Sequence, residues 1–163
     1  MKTKKLTVMA LTTALAMILS FVESQIPAFV AVPGVKMGLA NIAVVFALYK
    51  LGWKEAVAVS LVRVVLVSML FGSIASLFYS LAGAVLSLAG MGLLKKSGRF
   101  TEIVVSVAGG ILHNIGQIAM ASIILETDAL RYYLPFLLLS GIVAGVVIGV
   151  VSAIMVRRIQ ITI

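Results

Sequence analysis

Leu134-Pro135-Phe136-Leu137-Leu138-Leu139-Ser140-Gly141-Ile142-Val143-Ala144-Gly145-Val146-Val147-Ile148-Gly149-Val150-Val151-Ser152-Ala153-Ile154-Met155-Val156 carries no charge and is followed at once by Arg157-Arg158. A helix rises about 1.5 Å per residue and needs about 20 apolar residues to cross a hydrocarbon core, so this run is long enough to span a bilayer. Gly141, Gly145 and Gly149 recur at every fourth position and leave one face flat enough for another backbone to approach. Working outward, charges and turn residues divide the remaining chain into apolar runs at about 6–22, 37–49, 56–71, 73–94 and 103–125. The 39 residues of 56–94 make two spans, and Phe71-Gly72-Ser73 is the expected break between them. The run at 37–49 is short for a span. It either tilts on into Lys50-Leu51-Gly52-Trp53 or follows a loop that dips inward, because Ile26 to Lys36 is apolar yet broken by Pro27, Pro33 and Gly34.

Composition points the same way. Of 163 residues 63% are hydrophobic and 11% charged, with a mean hydropathy of +1.25, against roughly half apolar and a quarter charged in soluble domains. No soluble fold of this length hides so much apolar surface. The expected fold class is therefore an all-α integral membrane protein, a six-transmembrane-helix bundle forming a single membrane domain over residues 1–163. Met1 to Val22 has the basic start and apolar middle of a secretory signal, but it runs into Glu23-Ser24-Gln25 without a small-x-small cleavage site and reads as a retained first span. The net charge of +8 is not a nucleic-acid footprint, since the basic residues sit at the ends of apolar runs. With both termini cytoplasmic, the inner side collects Lys2, Lys4, Lys5, Lys50, Lys54, Lys95, Lys96, Arg99, Arg157 and Arg158. The outer side holds only Lys36 and Arg131. Tyr49, Trp53, Tyr132 and Tyr133 fall at span ends, where amphipathic rings prefer the headgroup layer.

Arg63 stands near the middle of the third span, where an ionised side chain is costly unless it is paired, wet or turned to an internal cavity. Glu23, Glu55, Glu102, Glu126 and Asp128 all fall at or beyond span ends, so the expectation is that no acid matches its depth. His113, Asn114 and Gln117 form a second polar cluster in the fifth span, and Asn41, just after Lys36 and Gly38, is a third intrusion. Buried polar groups without partners cost a few kcal/mol, so these side chains are expected to converge on one another or on something bound. Interhelical hydrogen bonding and ligand binding both account for Asn41, His113, Asn114 and Gln117. Other small residues at four-residue spacing, Ala10 with Ala14 and Ser76 with Ser80 and Ala84, read first as helix packing.

What the chain lacks is also informative. It has no cysteine and one histidine, which removes thiolate chemistry and multi-histidine metal sites; no metal site and no cofactor is expected. A Gly-rich loop with its phosphate-binding lysine is missing, so the chain has no ATP site of its own. Aspartate pairs that hold Mg²⁺ against a diphosphate, and a nucleophile triad, are missing too, so it is not expected to be an enzyme.

The strings Val22-Glu23-Ser24, Pro33-Gly34-Val35-Lys36-Met37-Gly38-Leu39-Ala40-Asn41-Ile42, Leu51-Gly52-Trp53-Lys54-Glu55-Ala56, Leu61-Val62-Arg63-Val64, Phe71-Gly72-Ser73 and His113-Asn114-Ile115-Gly116-Gln117 resemble the family called Gx transporters. That family also carries the label heptaprenyl diphosphate synthase component I. It is similar to the substrate-capture (S) components of energy-coupling-factor (ECF) transporters, the vitamin importers of bacteria and archaea. The resemblance implies residence in a prokaryotic cell membrane and an outward-facing pocket closed by the loop between the first two spans. It also implies two partners, a membrane scaffold subunit and a pair of ATPases, with Ala10-Leu11-Thr12-Thr13-Ala14 matching the alanine pattern that docks on the scaffold. The cargo would be a small vitamin-like or precursor molecule, anionic if it answers Arg63, and held by Arg63, His113, Asn114, Gln117, Asn41 and Lys36. Two other readings stand beside it: a non-catalytic membrane subunit associated with polyprenyl diphosphate synthesis, and a channel or stand-alone carrier.

The charge bias is checked with single cysteines placed in this cysteine-free chain. Near Lys96 and at the C-terminus they should be shielded from impermeant thiol reagents in intact cells, and near Thr127 one should label. Labelling at Lys96 in sealed cells overturns the orientation.

Overall fold

A computed structural model describes residues 2–25, 38–126 and 129–160. Six α-helices account for nearly all of them: α1 (Lys2–Gln25), α2 (Asn41–Lys50), α3 (Trp53–Phe71), α4 (Ile74–Ser97), α5 (Glu102–Ile124) and α6 (Leu134–Arg158), with a 3₁₀ turn at Ala129–Tyr133. No strand occurs among the described residues. Helices α1, α4, α5 and α6 are each long and apolar enough to cross a membrane. Helix α3 runs for 19 residues but carries Lys54, Glu55 and Arg63.

The packing is the reverse of a soluble bundle. On α6 the buried face is mostly small, Gly141, Gly145, Gly149, Ser152 and Ala153 beside Leu137 and Ile148, while Leu139, Val143, Val147 and Ile154 face outward. Small residues inside and branched apolar ones outside suit a solvent of lipid tails, in which close backbone contact rather than hydrophobic burial holds helices together. The chain is a multi-pass helical membrane protein.

Helix α2 departs from the expected run at 37–49. Residues 38–40 form a turn, with Gly38 at φ 75° and Asn41 N–H donating to the Gly38 carbonyl at 2.8 Å. At the other end Leu51 and Gly52 N–H both donate to the Ala47 carbonyl, and Gly52 adopts φ 122°, which reverses the chain and which only glycine takes readily. Tilting on through Lys50-Leu51-Gly52-Trp53 is therefore ruled out. Ten residues make about 15 Å of helix, half a hydrocarbon core. All of Ile42 to Leu48 is buried, and a helix apolar on every side belongs in an interior. So α2 is a central plug, and α1 and α3 flank it.

The break at Phe71-Gly72-Ser73 is a capping box: Ser73 Oγ accepts from Ser76 N–H at 3.2 Å, and Ser76 Oγ accepts from Ser73 N–H at 2.9 Å. Gly98, left-handed at φ 67°, closes α4, and the Thr101 side chain caps α5. Lys5 pairs with Glu55 at 2.5 Å, while the Phe21 and Phe71 rings lie 5.1 Å apart at the opposite ends of the same two helices. Hence α1 and α3 run parallel. Lys95 Nζ donates to the Leu48 carbonyl, Trp53 lies against Gly92, and Ile103 meets Gly149. These contacts gather the α1 N-terminus, the α2–α3 and α4–α5 junctions and the last turns of α6 at one end, where the basic residues cluster. Tyr49, expected at a span end, is half-buried there, with its hydroxyl enclosed and Lys95 Nζ 5.1 Å above its ring.

Three helices form a closely packed wall. A Cβ at Gly110 would stand 2.6 Å from the Gly141 carbonyl oxygen, one at Gly145 2.6 Å from Val107 Cα, and one at Gly116 2.7 Å from the Ala82 carbonyl oxygen. Each neighbour is backbone and has no way to yield. Gly145→Ala is therefore expected to lower stability by about 1–3 kcal/mol through overpacking of α5 on α6. Gly98→Ala, with open space around it, should cost only the left-handed strain of about 1 kcal/mol. Thermal melts in one detergent check the order.

Candidate functional site

Between the α4–α5–α6 wall and the α1–α3 pair lies a cavity of ≈ 100 Å³. The sequence-predicted residues Asn41, Arg63, His113, Asn114 and Gln117 all line it, although they come from three helices. Lys36, the remaining predicted contact, and the loop expected to cap the pocket fall outside the described residues.

Helical spacing explains the convergence. On α5 the lining positions are Ser106, Gly109, Gly110, His113, Asn114 and Gln117, a stripe at three- and four-residue intervals that stays on one face. Ser76, Ser80 and Ser87 do the same on α4. Ser76 and Ser80, read from sequence as packing residues, therefore face the cavity, while Ala84 is buried in the packing. Beyond the predicted set, the cavity also gathers Ser20, Glu23, Ser24, Ser68 and Ser106. Their signal in the sequence is the serine spacing itself, which packing of small residues imitates.

The antiparallel pairing of α3 and α4 about Gly72-Ser73 sets the levels. Arg63 lies nine residues before Gly72 and Gly83 ten after Ser73, so the two stand at one height. There a Cβ on Gly83 would come 2.9 Å from His113 Nδ1. Gly83 is thus the space into which the imidazole fits. Along the helices, Ser24, Glu23 and Ser76 lie near the Phe71-Gly72-Ser73 turn, and Ser87, Ser106 and Met91 nearer the basic end.

Three groups have clear electrostatic or hydrogen-bonding roles. Arg63 Nε is buried and has no hydrogen-bond partner among the described residues. Contrary to the expectation that no acid serves Arg63, Glu23 lines the same cavity, and its negative charge acts favourably on the guanidinium. Position along one helix hid this, because α1 ends where its last turn can look down into the bundle. The Glu23 carboxylate also accepts from Gly38 N–H, closing the chain across residues 24–37. Asn114 is divided between two duties: its Nδ2 donates to the Leu137 carbonyl at 2.6 Å, joining α5 to α6, which leaves Oδ1 as its acceptor. Gly141 makes that approach possible, since a Cβ there would meet Asn114 Nδ2 at 2.8 Å. Among the described residues no group of three His, Asp or Glu side chains is placed to hold a metal ion.

Ala10 and Ala14 sit elsewhere, exposed on α1 beside Leu6 and Leu11, each 66% exposed, while Thr12 and Ala16 turn inward. The two alanines therefore contribute to an outward surface and take no part in the cavity.

The fold and cavity define a helical membrane protein with a polar chamber inside an apolar exterior. Residues 12–155 match the family model described as heptaprenyl diphosphate synthase component I, and the chain belongs to that family. No curated protein and no solved structure matches it.

Asn114→Ala removes the α5–α6 bond but leaves the Leu137 carbonyl the Ser140 hydroxyl, 2.9 Å away. A loss of about 1–2 kcal/mol is expected. Asn114→Asp, which has no amide hydrogens to donate, should lose at least as much in thermal melts near neutral pH. If both variants melt like the parent, Asn114 is not an interhelical tie.

Proposed function

We propose that the protein is the substrate-binding (S) component of an ECF-type importer in a prokaryotic cell membrane, with both termini cytoplasmic. The cargo is a small vitamin-like or precursor molecule bearing an anionic group. The observation that carries this reading is the placement of Arg63 with a buried, unpartnered Nε beside His113, Asn114, Gln117 and Asn41 in one internal cavity. A planar guanidinium suits a carboxylate or phosphate because its fork reaches two oxygens at once. Pockets with a few placed polar groups in mostly apolar walls are the usual form of small-molecule sites. The exposed alanines of α1 suit docking on a membrane scaffold, and an ATPase pair would supply the energy that this chain has no site to supply.

A second reading draws on the wording of the family description: a non-catalytic membrane subunit assisting polyprenyl diphosphate synthesis. The two differ in what accompanies the protein. Purified from its native membrane and weighed by native mass spectrometry, an S component brings a scaffold, ATPases and a small ligand, whereas the assisting subunit brings a soluble prenyltransferase chain. Ala10→Trp and Ala14→Trp should release the scaffold and retain the ligand. Arg63→Ala should retain the scaffold and weaken the ligand by about 2–5 kcal/mol, the cost of leaving an anion buried and unpaired. Recovery of a prenyltransferase chain without ATPases overturns the importer reading.

A further inference from the structure

Below the level of Arg63 the cavity continues towards the basic end of the bundle. Its floor is formed by Ser87 on α4 and Ser106 on α5, with Gly109 and Met91 between them. Ser87 is 4% exposed and Ser106 3%, and neither hydroxyl makes a hydrogen bond to a described residue. Ser152 shows the contrast, donating to the Ile42 carbonyl at 3.3 Å, whereas Ser60, 2% exposed, likewise makes no hydrogen bond to a described residue but does not line the cavity. A hydroxyl withdrawn from water gains from a partner, and these two line the cavity, where a bound group could supply one. Gly109 keeps that space open, since a Cβ there would stand 2.6 Å from Met91 Sδ and 3.2 Å from Ser87 Oγ.

The separation from the guanidinium level follows from helix geometry. Ser87 is four residues past Gly83, and Ser106 seven residues before His113, or about 6 and 10 Å deeper. Leu48, Leu88 and Val105 belong to the buried apolar cluster beside this end of the cavity. A tail entering past Arg63 thus meets hydroxyls next to a packed apolar core. The volume is also small, since an apolar cavity of about 150 Å³ accommodates benzene.

Building on the proposed solute-binding role, we infer that Ser87 and Ser106 form a second, uncharged subsite, so that the cargo is a short solute polar at both ends. Its anionic group lies at Arg63, and a hydroxyl, carbonyl or ring nitrogen lies on the serine floor. A prenyl diphosphate fits poorly, because its hydrocarbon would cover two hydroxyls and leave them unpaired.

The absence of cysteine makes the floor directly testable. In purified full-length protein in nanodiscs, Ser87→Cys and Ser106→Cys each add one thiol of near-serine size. Both should react with the anionic reagent sulfonatoethyl methanethiosulfonate at least about tenfold faster than Ser60→Cys and Ser152→Cys, because only a wet thiol ionises and reacts. Adding Arg63→Gln should lower the preference for that reagent over its trimethylammonioethyl counterpart by about tenfold, as the positive field is lost. Geranyl diphosphate should leave the Ser106→Cys rate unchanged. Floor thiols as inert as the controls, a reagent preference unmoved by Arg63→Gln, or protection by geranyl diphosphate would each overturn the subsite. A reactive, anion-favouring floor in a chain that brings down no ATPases faults the importer reading alone. An inert floor in a chain that does bring them down faults the subsite alone.

Discussion

A guanidinium halfway along a membrane helix constrains everything around it. In hydrocarbon Arg63 has no water, and its cost is bearable only where the bundle provides polar surroundings or a counter-charge. The fold provides both. Serine and amide side chains line the space beside Arg63, and the negative charge of Glu23, in the last turn of α1, acts on it across the cavity. The lipid-facing surface stays apolar because polar residues of five helices, α1 to α5, turn towards one interior volume.

That volume persists because the neighbouring helices are held apart from it and tightly against one another. The α4–α5–α6 wall is joined through glycines whose missing side chains let backbones touch, at Gly110 with Gly141, Gly145 with Val107 and Gly116 with Ala82. In lipid there is little hydrophobic gain in pressing helices together, so dispersion and weak backbone contacts must serve, and these need close approach. The same substitution of hydrogen for a side chain does different work at Gly83 and Gly109. There it admits the His113 ring and keeps the floor open beside Ser87.

The plug helix α2 completes the chamber from the other side. It is too short to span and apolar on every face, and it hangs between the Gly38 turn and the reversal at Gly52. Its carbonyls are used at both levels, Leu48 accepting from Lys95 and Ile42 from Ser152, so a helix of otherwise interchangeable apolar residues is held at one height. Asn41 at its first turn thereby meets the cavity.

Much of this was legible in the residues alone. Apolar runs of bilayer length, a break at Phe71-Gly72-Ser73 and basic residues at run ends are local or one-dimensional properties, because the bilayer imposes length and polarity on each helix separately. The polar intrusions Asn41, Arg63, His113, Asn114 and Gln117 announced themselves for the same reason: each is expensive where it stands. Only the tertiary structure decided which helices face each other. Register between helices depends on where glycines permit contact, and no run of sequence records that. It brought Glu23, a span-end acid, into the field of Arg63, tied the Asn114 amide to Leu137, turned Ser76 and Ser80 from packing spacers into cavity walls, and added Ser87 and Ser106 to them. A serine is cheap enough in a helix to be silent in the sequence, and its role is set by what lies across from its hydroxyl.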